Sequence, residues 1–115
     1  MGIHKRENFT ETQNMISKYA RILSSPARVA ILELLLYKDS CICGDIVDEL
    51  SLSQSTVSQH LQELKLAGLI RGTIEGPKIC YCIDKEGWMR MKNSFDLILN
   101  QKFLRNITKL KKKEC

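Results

Sequence analysis

From Glu11 to Leu23 the apolar residues Met15, Tyr19, Ile22 and Leu23 recur at three- and four-residue intervals, which predicts a helix with one buried face. Ser24-Ser25-Pro26 breaks that pattern and restarts it, because proline suits the first turn of a helix. The next stretch, Pro26 to Tyr37, carries Ala27, Ala30, Ile31, Leu34 and Leu35 and is nearly apolar throughout, so it predicts the central core helix. Gly44 to Leu50 predicts a short amphipathic helix, and Ser51-Leu52-Ser53 a tight connection. In the stretch that follows, Val57, Leu61 and Leu64 form one stripe while Ser55, Gln59 and Gln62 fall opposite it. Ser53 is placed to cap this helix and Gly68 to stop it.

The period then changes from helix to strand. Between Leu69 and Glu75, apolar Ile70 and Ile74 alternate with Arg71 and Thr73; Gly76-Pro77 supplies a turn, and Lys78 to Ile83 makes a return strand. Lys85 to Leu110 is a long helical pattern whose apolar side is Trp88, Met91, Phe95, Ile98, Leu99 and Leu104. The predicted fold is mainly α with a small β-hairpin, a winged helix-turn-helix in a single domain spanning residues 1–115. So long a last helix cannot bury its apolar side within one small domain. It and the first helix are therefore expected to pair with a twin subunit, setting two reading helices about 34 Å apart on duplex DNA.

The exposed face of the second helix in the helix-turn-helix is unusual. Solvated helix faces are commonly rich in Glu and Lys, yet Gln54, Ser55, Thr56, Ser58 and Gln59 are short, neutral and able to donate or accept hydrogen bonds. That set suits base edges and phosphate oxygens in a major groove. Arg71 and Lys78 on the wing are expected to touch phosphates. His60 borders the apolar stripe and reads either as a structural histidine or as a phosphate contact.

Composition narrows the partners. A net charge of +5 and a pI of about 9.0 favour a polyanion, without proving one. No apolar run approaches the ~20 residues of a membrane span, and residues 1–10 lack the apolar core of a secretory signal, so a cytoplasmic protein with reduced thiols is expected. The only low-complexity tract is the basic stretch Lys109 to Lys113, which reads as a solvated tail or a non-specific phosphate contact.

Four of the five cysteines form two C-x-C pairs, Cys41-Ile42-Cys43 and Cys80-Tyr81-Cys82, and the count is odd, so a disulfide framework is not expected. The first pair lies just before or at the start of the first helix of the helix-turn-helix. A helix amino terminus there would stabilise thiolates and favour soft, thiophilic ions. On the return strand, alternation puts Cys80 and Cys82 with Lys78 on an outer face, and Ile79, Tyr81 and Ile83 on the core face. Side chains two apart on one strand are splayed by roughly 6.7 Å at Cα, too far for an easy chelate, so Cys80 or Cys82 is expected to complete a site begun by Cys41 and Cys43, or to bind separately. Cys115 reads as inert.

These residues closely resemble the ArsR/SmtB family of winged-helix metalloregulators. The resemblance is carried by S-S-P-A-R-V-A-I-L-E-L-L, the C-I-C-G-D-I block, S-Q-S-T-V-S-Q-H-L-Q-E-L-K-L-A-G-L-I and the wing around Gly76, across Ser24 to Asp84. It implies a homodimeric repressor that holds operator DNA when ligand-free and releases it when a toxic ion binds. In arsenic-sensing members, As(III) is held by a C-x-C block that maps onto Cys41 and Cys43, with no obligatory cofactor. Sb(III) is a close chemical substitute. Two departures stand out: the third cysteine of the longer motif is replaced by Ile46, and the zinc-type set of Asp and His on the last helix is reduced to Asp84.

Other readings of the thiols are oxidation sensing and a response to Cd(II), Pb(II) or Zn(II). A thiol enzyme is disfavoured, because only His4 and His60 are available as histidine bases. A metal buffer would leave the neutral polar helix face unexplained.

Overall fold

A computed structural model describes residues 8–38, 41–43 and 46–100 of this chain. Helix α1 (Glu11–Ile22) begins at a reciprocal capping box, in which Thr10 Oγ1 accepts from Gln13 N at 3.1 Å and Gln13 Oε1 accepts from Thr10 N at 2.9 Å. Helix α2 (Pro26–Lys38) starts at the expected proline and buries Ile31, Leu32 and Leu35. These three pack with Leu64, Leu69, Val57 and Ile70 at the centre of the core. Burial of large aliphatic side chains at about 1.5–3 kcal/mol each is the main force holding the helices together.

Helices α3 (Ile46–Leu50) and α4 (Gln54–Leu66) are joined by the expected tight turn. Ser51 adopts a φ of 52°, the left-handed conformation needed to reverse the chain in so few residues. Ser53 caps α4, its Oγ accepting from Thr56 N at 3.3 Å and donating to Thr56 Oγ1 at 2.8 Å. At the other end Ala67 closes the helix, and Gly68 takes a φ of +80° while Leu69 N donates back to Leu64 O.

The wing is β2 (Ile70–Glu75) and β3 (Lys78–Ile83), antiparallel with Glu75 opposite Lys78, and Gly76 has a φ of +64° in the expected turn. A third strand joins them. β1 (Ile42–Cys43) pairs antiparallel with β3, giving the sheet order β1-β3-β2. The expectation that Cys41-Ile42-Cys43 sits at a helix start is therefore corrected: this segment is extended, and the helix begins only at Ile46. Ile42 carries the reason, because extension sends its side chain into the core, where it is 6 % exposed.

Helix α5 (Lys85–Leu99) is capped by Asp84, whose Oδ1 accepts from Gly87 N at 3.1 Å. Its start is fixed by close backbone contact. A Cβ at Gly87 would lie 1.7 Å from Gly68 O, so the first turn of α5 rests directly on the bend that ends α4. α1 packs along α5, while Met89, Leu97, Ile98 and Leu99 remain exposed. The expected unbroken helix from Lys85 to Leu110 is corrected: α5 ends at Leu99, where Asn100 turns extended with a ψ of 167°. Leu104 to Leu110, the basic stretch Lys109 to Lys113, Cys115, His4 and the Gly44 end of the short helix lie outside the described residues. No helix among the described residues is long and apolar enough to cross a membrane.

Candidate nucleic-acid interface and thiol site

The α4 face is built as its composition suggests. Gln54, Ser55, Ser58, Gln59 and Gln62 are exposed, whereas Val57, Leu61 and Leu64 are buried. Thr56 differs from its neighbours: it is half-buried and its hydroxyl is engaged by Ser53. Lys78 is exposed on the wing beside the Gly76-Pro77 turn. His60 is half-buried and accepts from Arg28 Nε at Nδ1, 3.1 Å away, tying α4 to α2. An acceptor Nδ1 leaves the ring proton of a neutral imidazole on Nε2. Its structural role is thus visible in the geometry.

Register assembles the cysteines. Cys43 lies opposite Cys80 and Ile42 opposite Tyr81, and continuing the ladder by one residue sets Cys41 opposite Cys82. Facing residues on antiparallel strands have Cβ atoms about 4.5–5.5 Å apart, closer than two residues on one strand. Chelation across the sheet is therefore favoured over chelation within either C-x-C. The Cys41 and Cys82 side chains share a hydrogen bond, and both are free thiols.

Cys80 departs from expectation. It is fully buried and disulfide-bonded, with Sγ 3.6 Å from Glu75 Oε2, so in this state it offers no thiolate to an ion. The inner and outer faces expected for β3 are also not observed: Ile79 is 51 % exposed while Cys80 is wholly covered. β3 is the central strand, paired with β1 on one edge and β2 on the other and contacted by α2, so its covered positions follow these contacts and not the alternation alone. Among the described residues no group of three or more His, Cys, Asp or Glu is placed to hold a metal ion. Asp84, the remnant of a last-helix metal set, is engaged as a helix cap.

The electrostatics of the pair run opposite to a helix-terminus thiolate. Cys41 is pushed above the ordinary thiol value, first by its hydrogen bond with Cys82, then by partial desolvation and by the charges of Cys82 and Glu75. Arg71 opposes this more weakly. Arg71 stands opposite Cys82 on β2 and lines the same cleft, so this side chain expected on phosphate sits at the thiols. The cleft holds about 450 Å³ between α2, β3 and α5, and its apolar walls include Leu35, Leu36, Ile83, Trp88 and Met89.

Two helices joined by a tight turn, a capped reading helix and a two-stranded wing define a winged helix-turn-helix protein. Residues 25–71 match the family of bacterial regulatory proteins designated arsR. The chain is 30 % identical over 83 residues to the arsenical resistance operon repressor of Staphylococcus xylosus, covering 72 % of this chain and 79 % of that one. It belongs to the ArsR family. It is also 39 % identical over 61 residues to the transcriptional repressor SmtB of Mycobacterium tuberculosis, covering 53 % of this chain and 44 % of that protein. The chain thus spans about half the length of the SmtB proteins it matches. In fold it is similar to a homodimeric winged helix-turn-helix DNA-binding domain from Mycobacterium bovis, with a TM-score of 0.62 and 22 % identity over 88 % of this chain and 91 % of that one.

The β1–β3 pairing is what sequence reasoning missed. A two-residue strand has no periodicity of its own. The available signal was the matched C-I-C and C-Y-C spacing, which puts both members of each pair on one side of any sheet the two segments share.

Proposed function

We propose that this chain is a homodimeric, cytoplasmic transcriptional repressor that holds operator DNA through α4 and the wing and releases it when As(III) or Sb(III) is captured by Cys41 and Cys82. The carrying observation is the free thiol pair bridging β1 and β3. β1 leads into α3 of the helix-turn-helix, and β3 is the return strand of the wing. A ligand tying the two sulfurs together fixes how the reading head sits against the wing.

The thiol chemistry favours trivalent arsenic or antimony over divalent ions. As(OH)₃ is neutral and carries its own hydroxides. Two As–S bonds form, two As–O bonds break, and both thiol protons leave as water, with no change in oxidation state and no proton released. Cd(II), Pb(II) or Zn(II) must instead expel two protons to solvent, which the Cys41 thiol, held above its ordinary range, resists. For release, the ion must bind the DNA-incompetent form more tightly; a coupling of about 1–3 kcal/mol weakens operator binding roughly 5- to 150-fold.

On the DNA side, Gln54, Ser55, Ser58 and Gln59 read base edges, Lys78 contacts phosphate, and Thr56 and His60 hold the helix in place. Arg71 serves the thiol pair. The apolar residues left exposed on α5, namely Met89, Leu97, Ile98 and Leu99, are the subunit contact. The homodimeric state of the similar Mycobacterium bovis domain supports this pairing.

Arsenic K-edge absorption on the loaded protein tests the site. Two As–S neighbours and one As–O neighbour are expected, with the two-sulfur signal lost in Cys41→Ser and in Cys82→Ser. An unchanged spectrum in both variants overturns the assignment. The disulfide at Cys80 favours a second reading, in which oxidation of the Cys41–Cys82 pair is the signal. Peroxide then releases operator with loss of two free thiols, and arsenite does not.

A further inference from the structure

The apolar face of the wing does not end where the core does. Facing residues of an antiparallel pair share one side of the sheet, so the register sets Ile70 with Ile83, Gly72 with Tyr81 and Ile74 with Ile79 along a single face. At the root Ile70 is buried, but toward the tip Ile74 is 81 % exposed and Ile79 51 %. Gly72 lets this strip close up in its middle. A Cβ there would lie 3.2 Å from the Tyr81 ring and 3.5 Å from Ile79 Cγ2, so both side chains lean into the space it leaves. The strip also borders the reading helix: Lys78, Ile79 and Tyr81 line a groove of about 550 Å³ that is shared with Gln54 and Ser58 of α4. Asp48 of α3 lines the same groove, so a phosphate strand lying in it is drawn to the Lys78 side.

Two isoleucines held in register near an exposed tip leave apolar surface in water until something covers it. Continuity with the α4 reading face, and the lysine beside Ile79, point to duplex DNA as the cover. With α4 in the major groove, the wing meets the adjacent minor groove about half a helical turn away, roughly 5 bp. We propose that Ile74 and Ile79 are a specificity-determining pair that packs into the minor groove of the operator and discriminates against guanine there through its 2-amino group. The inference rests on the reading of α4 and the wing as the DNA-binding head, and adds a chemically different readout to it. At A·T pairs the minor-groove edge carries only acceptors, whereas a G·C pair adds the guanine N2 amino donor. Isoleucine offers that donor no acceptor. Covered by Ile74 and Ile79, the amino group loses its water without gaining a hydrogen bond, and it occupies space the methyl groups would fill. Sequence is thus read without a hydrogen bond, at base pairs beyond those facing Gln54, Ser55, Ser58 and Gln59.

The test uses the full chain without added metal, and duplexes enriched from a randomised pool by the parent protein. Base pairs outside the stretch whose preference Gln59→Ala relaxes are replaced one at a time by A·T, by G·C and by inosine·C, which keeps the major-groove edge of guanine but lacks the 2-amino group. About 5 bp from the α4 contacts, G·C is expected to bind at least about fivefold more weakly than A·T, and inosine·C to bind like A·T. In Ile74→Ala/Ile79→Ala that penalty is expected to fall below about twofold, with the salt dependence unchanged because no phosphate contact is lost. A general weakening of the wing lowers affinity for all duplexes and leaves the ratio of inosine·C to G·C in place, so this ratio isolates the contact. A parent that treats G·C and inosine·C alike at every flanking position, or a ratio unchanged in the double variant, overturns the minor-groove pair. Failure of the parent to enrich any duplex overturns instead the operator reading on which it rests, so the two failures are distinguishable.

Discussion

The thiols of Cys41 and Cys82 face one another across β1 and β3 and share a hydrogen bond, although 41 positions separate them in sequence. Each member of this pair comes from a different C-x-C. The contact joins the approach to the helix-turn-helix with the far strand of the wing, the two parts that must be correctly disposed for a winged helix to grip a duplex.

The pair's protonation is open to measurement. Cys41 is raised chiefly by Cys82 and lowered by Arg71, so its alkylation by iodoacetamide should gain its pH-dependent rate above the ordinary thiol range. Cys82→Ala removes both the hydrogen bond and the neighbouring charge, and the profile should move down in pH. Arg71→Ala removes the opposing cation, and the profile should move up. Coincident profiles for all three proteins would show that the thiols do not sense each other.

A second expectation concerns the junction of α4 with α5. Gly87→Ala drives a Cβ into the Gly68 carbonyl and forces α5 off the bend at the end of α4, so a loss of about 3 kcal/mol is expected in urea unfolding. A loss under about 0.5 kcal/mol would mean that α5 does not rest there.

On α4, Ser53→Ala deletes the cap that holds Thr56 N and the Thr56 hydroxyl, and should cost about 1 kcal/mol of stability. Its effect on DNA should exceed that of an equally destabilising core change, because it loosens the end of the reading helix. Operator titrations at matched stability check this.

Readout and phosphate contact should separate by salt. Lys78→Ala is expected to weaken binding to all sequences alike and to lower the slope of log K against log salt by about 1. Gln59→Ala should leave that slope unchanged and relax sequence preference, by about 1–3 kcal/mol at the base concerned. A selection experiment over randomised operators distinguishes the two outcomes.

Much of this architecture was legible in the chain. The strands of the wing, the Ser53 cap and the Val57, Leu61 and Leu64 stripe follow from local periodicity and capping chemistry, which act within a few residues. What local pattern did not reveal was tertiary. β1 exists only because β3 is there to pair with it, and Ile42 is buried only because the sheet and helices close around it. The same closure brings Arg71, on the wing strand β2 and exposed, beside the thiols and covers Cys80. His60 was ambiguous in sequence because its partner Arg28 is 32 residues away.

The most direct test of the account is the operator affinity of the chain at fixed salt with and without arsenite, compared with the same pair of measurements on the Cys41→Ser/Cys82→Ser variant. The account predicts at least a roughly fivefold loss of affinity on adding arsenite to the parent and none in the variant. Equal affinity of loaded and empty parent protein, or an equal loss in the variant, would contradict it.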